Sequence, residues 1–442
     1  MVRKGHETGR ISDGGNEASV LGIAPRAVLE PMNGTDEHHG RGWGPGWLMA
    51  ALVVVALTYG LVSGLRVPNL WASTALILDY HAGFAKRGLL GAMLGLSGEP
   101  KTYGDIAVLA FALLALWVAL FLVYARRAAA HAPDVWIVVA AFFLSQGFLF
   151  EVHAVGYADH AGLLLGIVCL MLPVSVSGLV ARAVVLAAMI LIHEGLFLFM
   201  VPVVFFDLLV RGLMRPSGAG RRLWGLFGFG ALAMAALTYG VAHASLPPGG
   251  VDAAVAYYGE IAWDYPVRED TVAVQYRGSD DNRAFIAEVW ADPKTPGHVR
   301  WALATNLPYV LVMLGLCFGA VRRFGLRRGQ AGLIALGAVV VAVMPVAVLV
   351  WAWDFERFMG QTQITVTLAL LILIHALGAR GRGFALGRVG LGLVVAASVW
   401  NASATPRLFD EAEVRRPPYG ADLSAAWQAW TDWDGRIRPP DK

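Results

Sequence analysis

The sequence predicts an all-α, polytopic transmembrane protein, and three observations lead to that fold class. Hydrophobic residues make up 57% of the 442-residue chain and charged residues only 15%, whereas in a soluble domain about a quarter of the residues are charged. Apolar runs long enough to cross a bilayer, about 20 residues, recur along the chain. Arginines gather in the short segments between these runs, as positive charges do in cytoplasmic loops. The net charge of +3 therefore reports membrane orientation, and we expect no nucleic-acid partner.

The two ends of the chain are polar. Residues 1–44 are rich in glycine, and we expect a disordered cytoplasmic tail there. The first apolar run is long enough to span and predicts a signal anchor in place of a cleaved signal peptide. The predicted transmembrane domain covers residues 45–401, and residues 402–442 are expected to form an extracytoplasmic tail. Cys169 and Cys317 lie in separate apolar runs, where packing is the ordinary role of a cysteine.

The apolar runs set the number of spans. They lie at about 46–65, 106–125, 135–150, 161–177, 223–243, 302–320, 331–352, 361–378 and 384–400. The stretch 183–210 is too long for one crossing and short for two. Arg182 precedes it and an arginine cluster at 211–222 follows it, so both of its ends favour the cytoplasm. We predict a hairpin of two short helices with its tip at residues 193–195, which gives about 11 spans and a cytoplasmic N-terminus.

This orientation places two long loops, 67–105 and 244–301, on the outer face of the membrane. In the loop 244–301 acidic residues outnumber basic ones, and aromatic residues are interleaved with them. Such a composition suits carbohydrate binding, and it equally suits a small folded lid. Every polar cluster described next falls on the same face, although the orientation was drawn from arginines in other loops.

The first polar cluster lies in the loop 67–105, where Asp79, His81, Lys86 and Arg87 occur within nine residues. Their apolar neighbours predict short helices in the membrane interface. Asp79 can act as a general base toward a hydroxyl acceptor, and Lys86 with Arg87 can hold a phosphate. Alternatively the two bases only anchor an interfacial helix to lipid headgroups. Binding is favoured because basic residues on the outer face depart from the orientation rule.

The second cluster is the short outer link from Glu151 to His160. It also holds His153 and Asp159 but no lysine or arginine. Three roles stay open for these side chains. They can bind a divalent cation such as Mg²⁺ or Mn²⁺, line a substrate cavity, or form a turn that only keeps the link hydrated. Their spacing matches no compact metal-ligand signature, so the metal itself stays unassigned.

The third cluster is His193-Glu194. The ten or so helical residues between Arg182 and this pair rise about 16 Å, roughly half the thickness of the hydrocarbon core. The pair is therefore expected inside the membrane, where ionisable groups usually face a cavity or a partner. Gly195 fits a helix break at that depth. Alternatively, His193 and Glu194 pair with each other and only stabilise the turn.

The fourth cluster begins an outer turn after Trp351 and Trp353. Asp354 and Arg357 are three residues apart and can pair on one helical face. Arg357 can equally bind an anion at the outer mouth of the bundle, and the sequence does not separate these two roles. We expect both residues to face the substrate.

Tryptophans also recur every third residue in the C-terminal tail, at positions 427, 430 and 433. An aromatic stripe of this kind is more typical of a docking or interfacial face than of a sugar-stacking site.

The layout of residues 45–400 resembles that of the bacterial polyprenyl-phosphate-dependent membrane glycosyltransferases of the GT-C architecture. Those enzymes have a long first outer loop with interfacial helices, and a catalytic acid in that loop soon after the first span. Asp79 is the matching position here. The segment 84–91, with the sequence FAKRGLLG, is similar to a recurrent segment of uncharacterised bacterial polysaccharide-locus membrane proteins.

The resemblance implies transfer of a sugar from a lipid-linked donor to a glycan, lipid or protein hydroxyl, on the outer face of the bacterial cytoplasmic membrane. Asp79 would be the general base. Lys86 and Arg87, with Arg357, would stabilise the leaving phosphate, whose developing charge needs preorganised cations. The His-Glu pair at 193–194 would complete the catalytic pocket or ligate a divalent ion.

Three other functions stay open. A polysaccharide polymerase or ligase would use a lipid-diphosphate donor on the same face, at a site dominated by Arg357. A transporter or flippase would have charges spread through the depth of the spans and inverted repeats between halves, and neither is prominent in the sequence. An assembly subunit would dock through the tail tryptophans.

Overall fold

The computed structural model describes residues 46–98, 101–214, 230–241, 243, 249–261, 263–276, 279–350 and 354–404. The predicted N-terminal tail, almost all of the predicted C-terminal tail with its three tryptophans, and the tryptophans at 351 and 353 lie outside the described residues.

Every regular element within these ranges is a helix, as the sequence predicts. The helices are α1 (Gly46–Gly64), α2 (Leu70–Ile77), α3 (Leu89–Gly95), α4 (Tyr103–Ala129), α5 (Val135–Phe143), α6 (Gln146–His153), α7 (Asp159–Met171), α8 (Val176–Ile192), α9 (Leu196–Leu213), α10 (Gly230–Val241), α11 (Gly250–Glu260), α12 (Glu269–Tyr276), α13 (Ser279–Ala291), α14 (Thr295–Arg323), α15 (Arg328–Ala347), α16 (Phe355–Gly378) and α17 (Arg388–Ser403), with a 3₁₀ turn at Val348–Val350.

Among the described residues, six helices are long and apolar enough to cross a membrane: α1, α4, α9, α14, α15 and α16. The helices α5 and α6 make a seventh when they are counted as one span bent by 49°. The predicted run 135–150 is therefore broken, because Ser145 begins a new helix and accepts a hydrogen bond from the backbone of Phe148. The helices α7, α8 and α10 are apolar but shorter. The chain is a multi-pass membrane protein.

The stretch 183–210 contains the predicted break. Helix α8 ends at Ile192, α9 begins at Leu196, and His193 between them has an extended backbone. The two helices fold back on each other, since Arg182 on α8 lies 3.3 Å from the Asp207 carboxylate on α9. The prediction for Arg182 itself was wrong, because this residue is not in a loop. It is only 1% exposed inside α8.

Helix α16 is the centre of the bundle and is almost entirely buried. It packs against α4, α5, α6, α9, α14 and α15. Several of its buried polar side chains bond neighbouring helices: Gln363 accepts from the backbone of Gly147 and donates to Asn401, and Thr367 bonds the Tyr309 hydroxyl at 2.9 Å. Bonds of this kind hold helices together where lipid provides no hydrophobic driving force.

The two predicted outer loops pack on each other. Helices α2 and α3 come from the first, α11 and α12 from the second. Leu78 and Ala85 form a small core with Tyr258, Val272 and Tyr276. The second loop is therefore a folded cap over the segment that carries Asp79. Its composition suited either carbohydrate binding or a small folded lid, and this packing favours the lid.

Candidate functional site

Four separate segments of the chain bring charged side chains to one place at the end of the bundle where α7 and α16 begin. We call this group the Arg357 cluster; its members are Arg87, Glu151, Asp159, His160, His193, Glu194, Asp354, Arg357 and Gln361. The guanidinium of Arg357 is its centre. Arg357 Nε donates to Asp159 Oδ2 at 2.7 Å, and Nη1 lies 3.9 Å from Asp354 Oδ2. The Cζ atom of Arg357 lies 5.3 Å from the centroid of the Tyr157 ring.

Asp159 is held by only one of its two oxygens. Both Arg357 nitrogens that contact it approach Oδ2, and the buried Oδ1 accepts no hydrogen bond from the described residues. The carboxylate lies in the first turn of α7, where the helix dipole stabilises negative charge. A buried polar atom left without a partner costs free energy, so Oδ1 is a position where a donor from another molecule would be stabilising.

His193 links this ion pair to the break between α8 and α9. Its Nδ1 accepts a hydrogen bond of 2.9 Å from the Gly195 backbone, so a neutral ring carries its proton on Nε2. That Nε2 lies 3.2 Å from Arg357 Nη2, itself a donor, and 3.7 Å from the free Asp159 oxygen.

Arg87 reaches the cluster from the segment between α2 and α3. Its Nε and Nη2 donate to the two oxygens of Glu194 at 3.0 and 2.8 Å, a bidentate arrangement that fixes the plane of the guanidinium. The third nitrogen, Nη1, has no bond to the described residues, and the Arg87 side chain is 21% exposed. Arg87 is thus anchored along one edge and can present the remaining donors to an anion.

Glu151 lies on α6 and is buried. Gln361 Nε2 donates to its Oε1, and His160 Nε2 lies 2.9 Å from the Glu151 backbone oxygen and 3.5 Å from Oε2. The second ring nitrogen of His160 faces the Tyr157 carbonyl at 3.2 Å. Gln361 is one turn after Arg357 on α16, so the two side chains share a helical face.

Small residues bring α6 and α16 together beside this cluster. A Cβ on Gly147 would lie 2.5 Å from the Gly360 carbonyl oxygen, so a larger residue there would force the helices apart. Close backbone approach at small residues is typical of membrane helices. Gly147 is one turn before Glu151, and Gly360 precedes Gln361, so the contact positions the Glu151–Gln361 bond.

Asp79 forms a second group, the Asp79 site, with His81, Tyr258 and Tyr276. His81 Nδ1 lies 2.6 Å from Asp79 Oδ2, and the Tyr258 hydroxyl donates to Asp79 Oδ1 at 3.0 Å while accepting from the Asp79 backbone at 2.9 Å. Burial and then the neighbouring Tyr276 hydroxyl raise the pKa of Tyr258 well above its ordinary value, so this hydroxyl remains a donor at neutral pH. The Asp79 side chain is 14% exposed and that of His81 68%.

Two glycines of the FAKRGLLG segment allow the chain after Arg87 to pack closely on the residues around Asp79. A Cβ on Gly91 would lie 2.0 Å from the Leu78 carbonyl oxygen, and one on Gly88 2.7 Å from the Tyr80 ring. No real Cβ atom fits at such distances. The start of α3 therefore packs directly on residues 77–80, and both glycines are needed for that contact.

The structure thus divides the predicted site residues into two groups. Arg87, the 151–160 acids, His160, His193-Glu194 and the Asp354–Arg357 pair meet in the Arg357 cluster, whereas Asp79 and His81 pair with each other. Among the described residues no bond joins the Asp79 carboxylate to the Arg357 cluster; only the folded segment 78–91 connects them. His153 is buried on α6 and Lys86 is half-buried.

The described residues contain no group of three or more His, Cys, Asp or Glu side chains arranged to hold a metal ion. His193 and Glu194, which the sequence offered as ligands, are instead bonded to the Gly195 backbone and to Arg87.

Sequence reasoning missed several residues that complete these sites. Gln361 and Tyr157 were overlooked, although Gln361 is a polar residue one turn after Arg357 in an apolar span. Tyr258 and Tyr276 were noted only as aromatic residues of the cap. Asp207 was passed over inside the run 183–210, where a single acid in an apolar stretch is a signal for a buried partner.

Comparisons of the chain with protein-family models, with curated proteins and with solved structures found no match. What the chain does must therefore be inferred from its own residues.

Proposed function

We propose that the chain is an integral-membrane glycosyltransferase. It transfers a sugar from a polyprenyl-phosphate donor to the hydroxyl of a glycan, lipid or protein on the outer face of the bacterial cytoplasmic membrane. The proposal includes the finer topology predicted from the arginines, with about 11 spans, a cytoplasmic N-terminus and a GT-C-like arrangement. The shorter apolar helices would then cross the membrane together with the six long ones.

One observation carries the proposal: a half-buried carboxylate–imidazole pair lies in the same folded segment as an arginine that is anchored by one edge. The sugar acceptor needs a base, and the leaving phosphate needs a cation. Asp79 and His81 supply the first, and Arg87 supplies the second. The close packing at Gly88 and Gly91 keeps the two functions near each other.

The proposed step conserves atoms and charge. The acceptor hydroxyl oxygen forms a bond to the anomeric carbon while the bond from that carbon to the donor phosphate oxygen breaks. The hydroxyl proton moves to the Asp79–His81 pair, through the exposed Nε2 of His81 or directly to the carboxylate. The polyprenyl phosphate leaves with the electron pair, and Arg87 stabilises its added charge. No metal is assigned to this step.

The test is Asp79→Asn in native membranes, with the lipid-linked sugar pool measured by mass spectrometry. We expect accumulated donor and a transfer rate reduced about 10²–10⁴-fold, the usual contribution of a general base. Asp252→Asn is the matched control, because Asp252 is an exposed acid on the cap helix α11. An unchanged donor pool at normal protein level would contradict the proposal.

A transporter or flippase is the second candidate, and the buried charges of the Arg357 cluster favour it. Ionisable groups buried among apolar helices also mark substrate pathways of transporters. A reconstituted flipping assay with a fluorescent lipid-linked sugar separates the two functions.

The polymerase or ligase would use a lipid-diphosphate donor. It requires that substitution of Arg357 abolishes the activity and that substitution of Asp79 leaves the activity intact.

A further inference from the structure

The cap contacts three separate groups of Asp79 through two tyrosine hydroxyls. The Tyr258 hydroxyl accepts from the Asp79 backbone N–H at 2.9 Å and donates to Oδ1 at 3.0 Å. The Tyr276 hydroxyl lies 3.4 Å from the Asp79 backbone oxygen and 3.4 Å from the Tyr258 hydroxyl. Asp79 is therefore held, by its backbone and by its carboxylate, from α11 and α12, which belong to a distant segment of the chain.

The Asp79 carboxylate in turn fixes the ring of His81. Asp79 Oδ1 also accepts from the His81 backbone N–H at 2.9 Å, an Asx turn that places the histidine two residues after its acid. His81 Nδ1 lies 2.6 Å from Oδ2. An ionised carboxylate only accepts hydrogen bonds, so Nδ1 carries the proton and the lone pair of a neutral ring is on Nε2.

This bonding distinguishes the two members of the pair as bases. Both oxygens of the Asp79 carboxylate already accept hydrogen bonds, so a hydroxyl that approached them would have to compete with a bonded donor. The His81 ring is mostly exposed, and within the described part of the chain its Nε2 has no hydrogen bond. An imidazolium formed there is stabilised by the carboxylate on its other nitrogen.

The cap is also attached by contacts that do not involve these hydroxyls. The Tyr103 backbone at the start of α4 donates to Asp264 Oδ1 at 2.8 Å, and the Arg268 backbone donates to the Thr74 hydroxyl on α2 at 3.0 Å. The small apolar core between the cap and residues 78–85 adds packing. Removal of one tyrosine hydroxyl should therefore leave the cap docked, so that its effect on the site can be measured.

We infer that His81 Nε2 takes the proton of the acceptor hydroxyl, that Asp79 orients the imidazole, and that the cap tyrosines position Asp79. The inference rests on the proposed function for the reaction itself. In that step the acceptor oxygen bonds the anomeric carbon while the bond from this carbon to the donor phosphate oxygen breaks. The hydroxyl proton moves to Nε2, and the exposed imidazolium then releases it to water. The cap is thus part of the catalytic site.

The first test separates a histidine base from a carboxylate base. His81→Ala should reduce sugar transfer in native membranes about 10²–10⁴-fold, and added imidazole should restore part of the rate because the position is exposed. His243→Ala is the matched control, since His243 is an exposed histidine whose ring bonds the Tyr239 backbone. Transfer within about threefold of wild type in His81→Ala, or a loss that imidazole does not reverse, would overturn the assignment of the base.

The second test observes the His81 ring without any reaction. ¹⁵N NMR of the full chain, labelled at histidine in lipid nanodiscs, reports which ring nitrogen carries the proton, and His81→Gln assigns the signal. We expect the Nδ1–H tautomer in wild type. In Asp79→Asn we expect a mixture, because a carboxamide can donate to the ring as well as accept from it. The same tautomer in both proteins would overturn the orienting role of Asp79.

Tyr258→Phe tests the cap. We expect transfer to fall about 10–100-fold, the usual effect of losing a hydrogen bond to a charged group, and the Nδ1–H fraction of His81 to fall with it. Tyr265→Phe is the matched control, because Tyr265 is a buried tyrosine of the same segment whose hydroxyl has no partner among the described residues. A wild-type tautomer or a wild-type rate in Tyr258→Phe would overturn the positioning role.

The two proposals fail separately. The His81 tautomer is measured without substrate, so it tests the roles of Asp79 and Tyr258 toward the ring even if no sugar is transferred. If Asp79→Asn leaves the donor pool unchanged, the transferase proposal fails. If Asp79→Asn abolishes transfer and His81→Ala does not, only the assignment of the base is wrong.

Discussion

Two buried arginine–aspartate pairs lie near opposite ends of α7, one between α8 and α9 and the other between α7 and α16, and they differ in which atoms are left unbonded. At one end, Asp207 accepts from Arg211 at 2.7 Å and from Arg182 at 3.3 Å, one arginine on each oxygen. The same arginines donate to the carbonyls of Cys169, Leu170 and Leu172 at the end of α7. We call Arg182, Asp207 and Arg211 the Arg182 clamp.

At the other end, the Arg357 cluster leaves oxygens of Asp159, Glu151 and Gln361 without hydrogen-bond donors from the described residues. Its contacts to His193 and Asp354 are long. The clamp caps helix-end carbonyls that would otherwise be unsatisfied, as a structural ion pair does. The clamp leaves one donor, Arg182 Nη1, without a partner among the described residues, whereas the cluster leaves three acceptors, as a site that receives another molecule does. The two arginine–aspartate pairs therefore differ in role, and the kind of atom left unbonded separates them.

The largest effect is expected where the clamp is broken on one side. Arg182→Leu leaves Asp207 buried with one partner fewer and the Cys169 and Leu172 carbonyls without caps, so we expect a loss of about 3–5 kcal/mol in stability. Unfolding in mixed detergent micelles measures this. The double variant Arg182→Leu with Asp207→Leu should recover part of the loss, because the buried carboxylate is removed together with Arg182 and the remaining Arg211 side chain is 25% exposed. If Arg182→Leu has the same free energy of unfolding as wild type, the Arg182–Asp207 pair does not stabilise the fold.

The next effect tests the fold that joins Asp79 to Arg87. Gly91→Ala places a Cβ against a backbone oxygen, so we expect a loss of about 1–3 kcal/mol and faster proteolysis of the outer segment. Gly95→Ala is the matched control in the same helix, since its Cβ would have its nearest neighbour, Asp79 Oδ2, at an ordinary 3.7 Å. Equal protease resistance of both variants would mean that α3 does not pack on residues 77–80.

The third effect is on activity and not on stability. Arg87→Lys keeps the charge but loses the bidentate bond to Glu194, so we expect transfer to fall about 10–100-fold with little change in unfolding. Arg268→Lys is the control, because Arg268 forms a similar pair with Asp270 on the exposed surface. Surface pairs of that kind contribute little. If the two variants have equal transfer rates, Arg87 is only an anchor.

The smallest effect is expected when the charge of Asp354 is removed, because Asp159 is the closer partner of Arg357. Asp354 caps α16 and lies 3.9 Å from the guanidinium. Asn caps as well as Asp does, so Asp354→Asn should change stability and transfer by no more than about 0.5 kcal/mol. Asp354→Ala also removes the cap and should cost about 1 kcal/mol more. A large loss of transfer in Asp354→Asn would make Asp354 a member of the substrate site.

The sequence was sufficient for most of the fold because lipid exposure leaves a strong pattern. Long apolar runs predicted α1, α4, α14 and α15 within about seven residues at each end. The break at 193–195 was predicted from the length of the stretch 183–210 and from the arginines at its two ends. The arginine rule failed at Arg182, since a guanidinium in an apolar helix is placed by its partner. That partner, Asp207, is twenty-five residues away and is brought close only by the hairpin.

The individual residues of the site could be predicted from the sequence, but their pairing with one another could not. Arg87 was singled out as a base on the predicted outer face, and Asp159 as an acid in a link without bases. Glu194 was singled out by its predicted depth in the membrane, and Arg357 by its spacing from Asp354. Which carboxylate pairs with which arginine depends on helix packing. Asp354 was the expected partner of Arg357 from spacing, whereas Asp159, nearly two hundred residues earlier, is the closer one.

The most direct test of this account compares two double variants that each remove one buried arginine–aspartate pair. Each variant leaves one partly exposed former partner, Asp354 in the first and Arg211 in the second, so the two are matched. One is Asp159→Leu with Arg357→Leu, the other Arg182→Leu with Asp207→Leu, and the measurement is sugar transfer per folded molecule in native membranes. The account predicts at least a 100-fold loss in the first and no more than about a threefold change in the second. Equal losses, or a larger loss at the clamp, would contradict it.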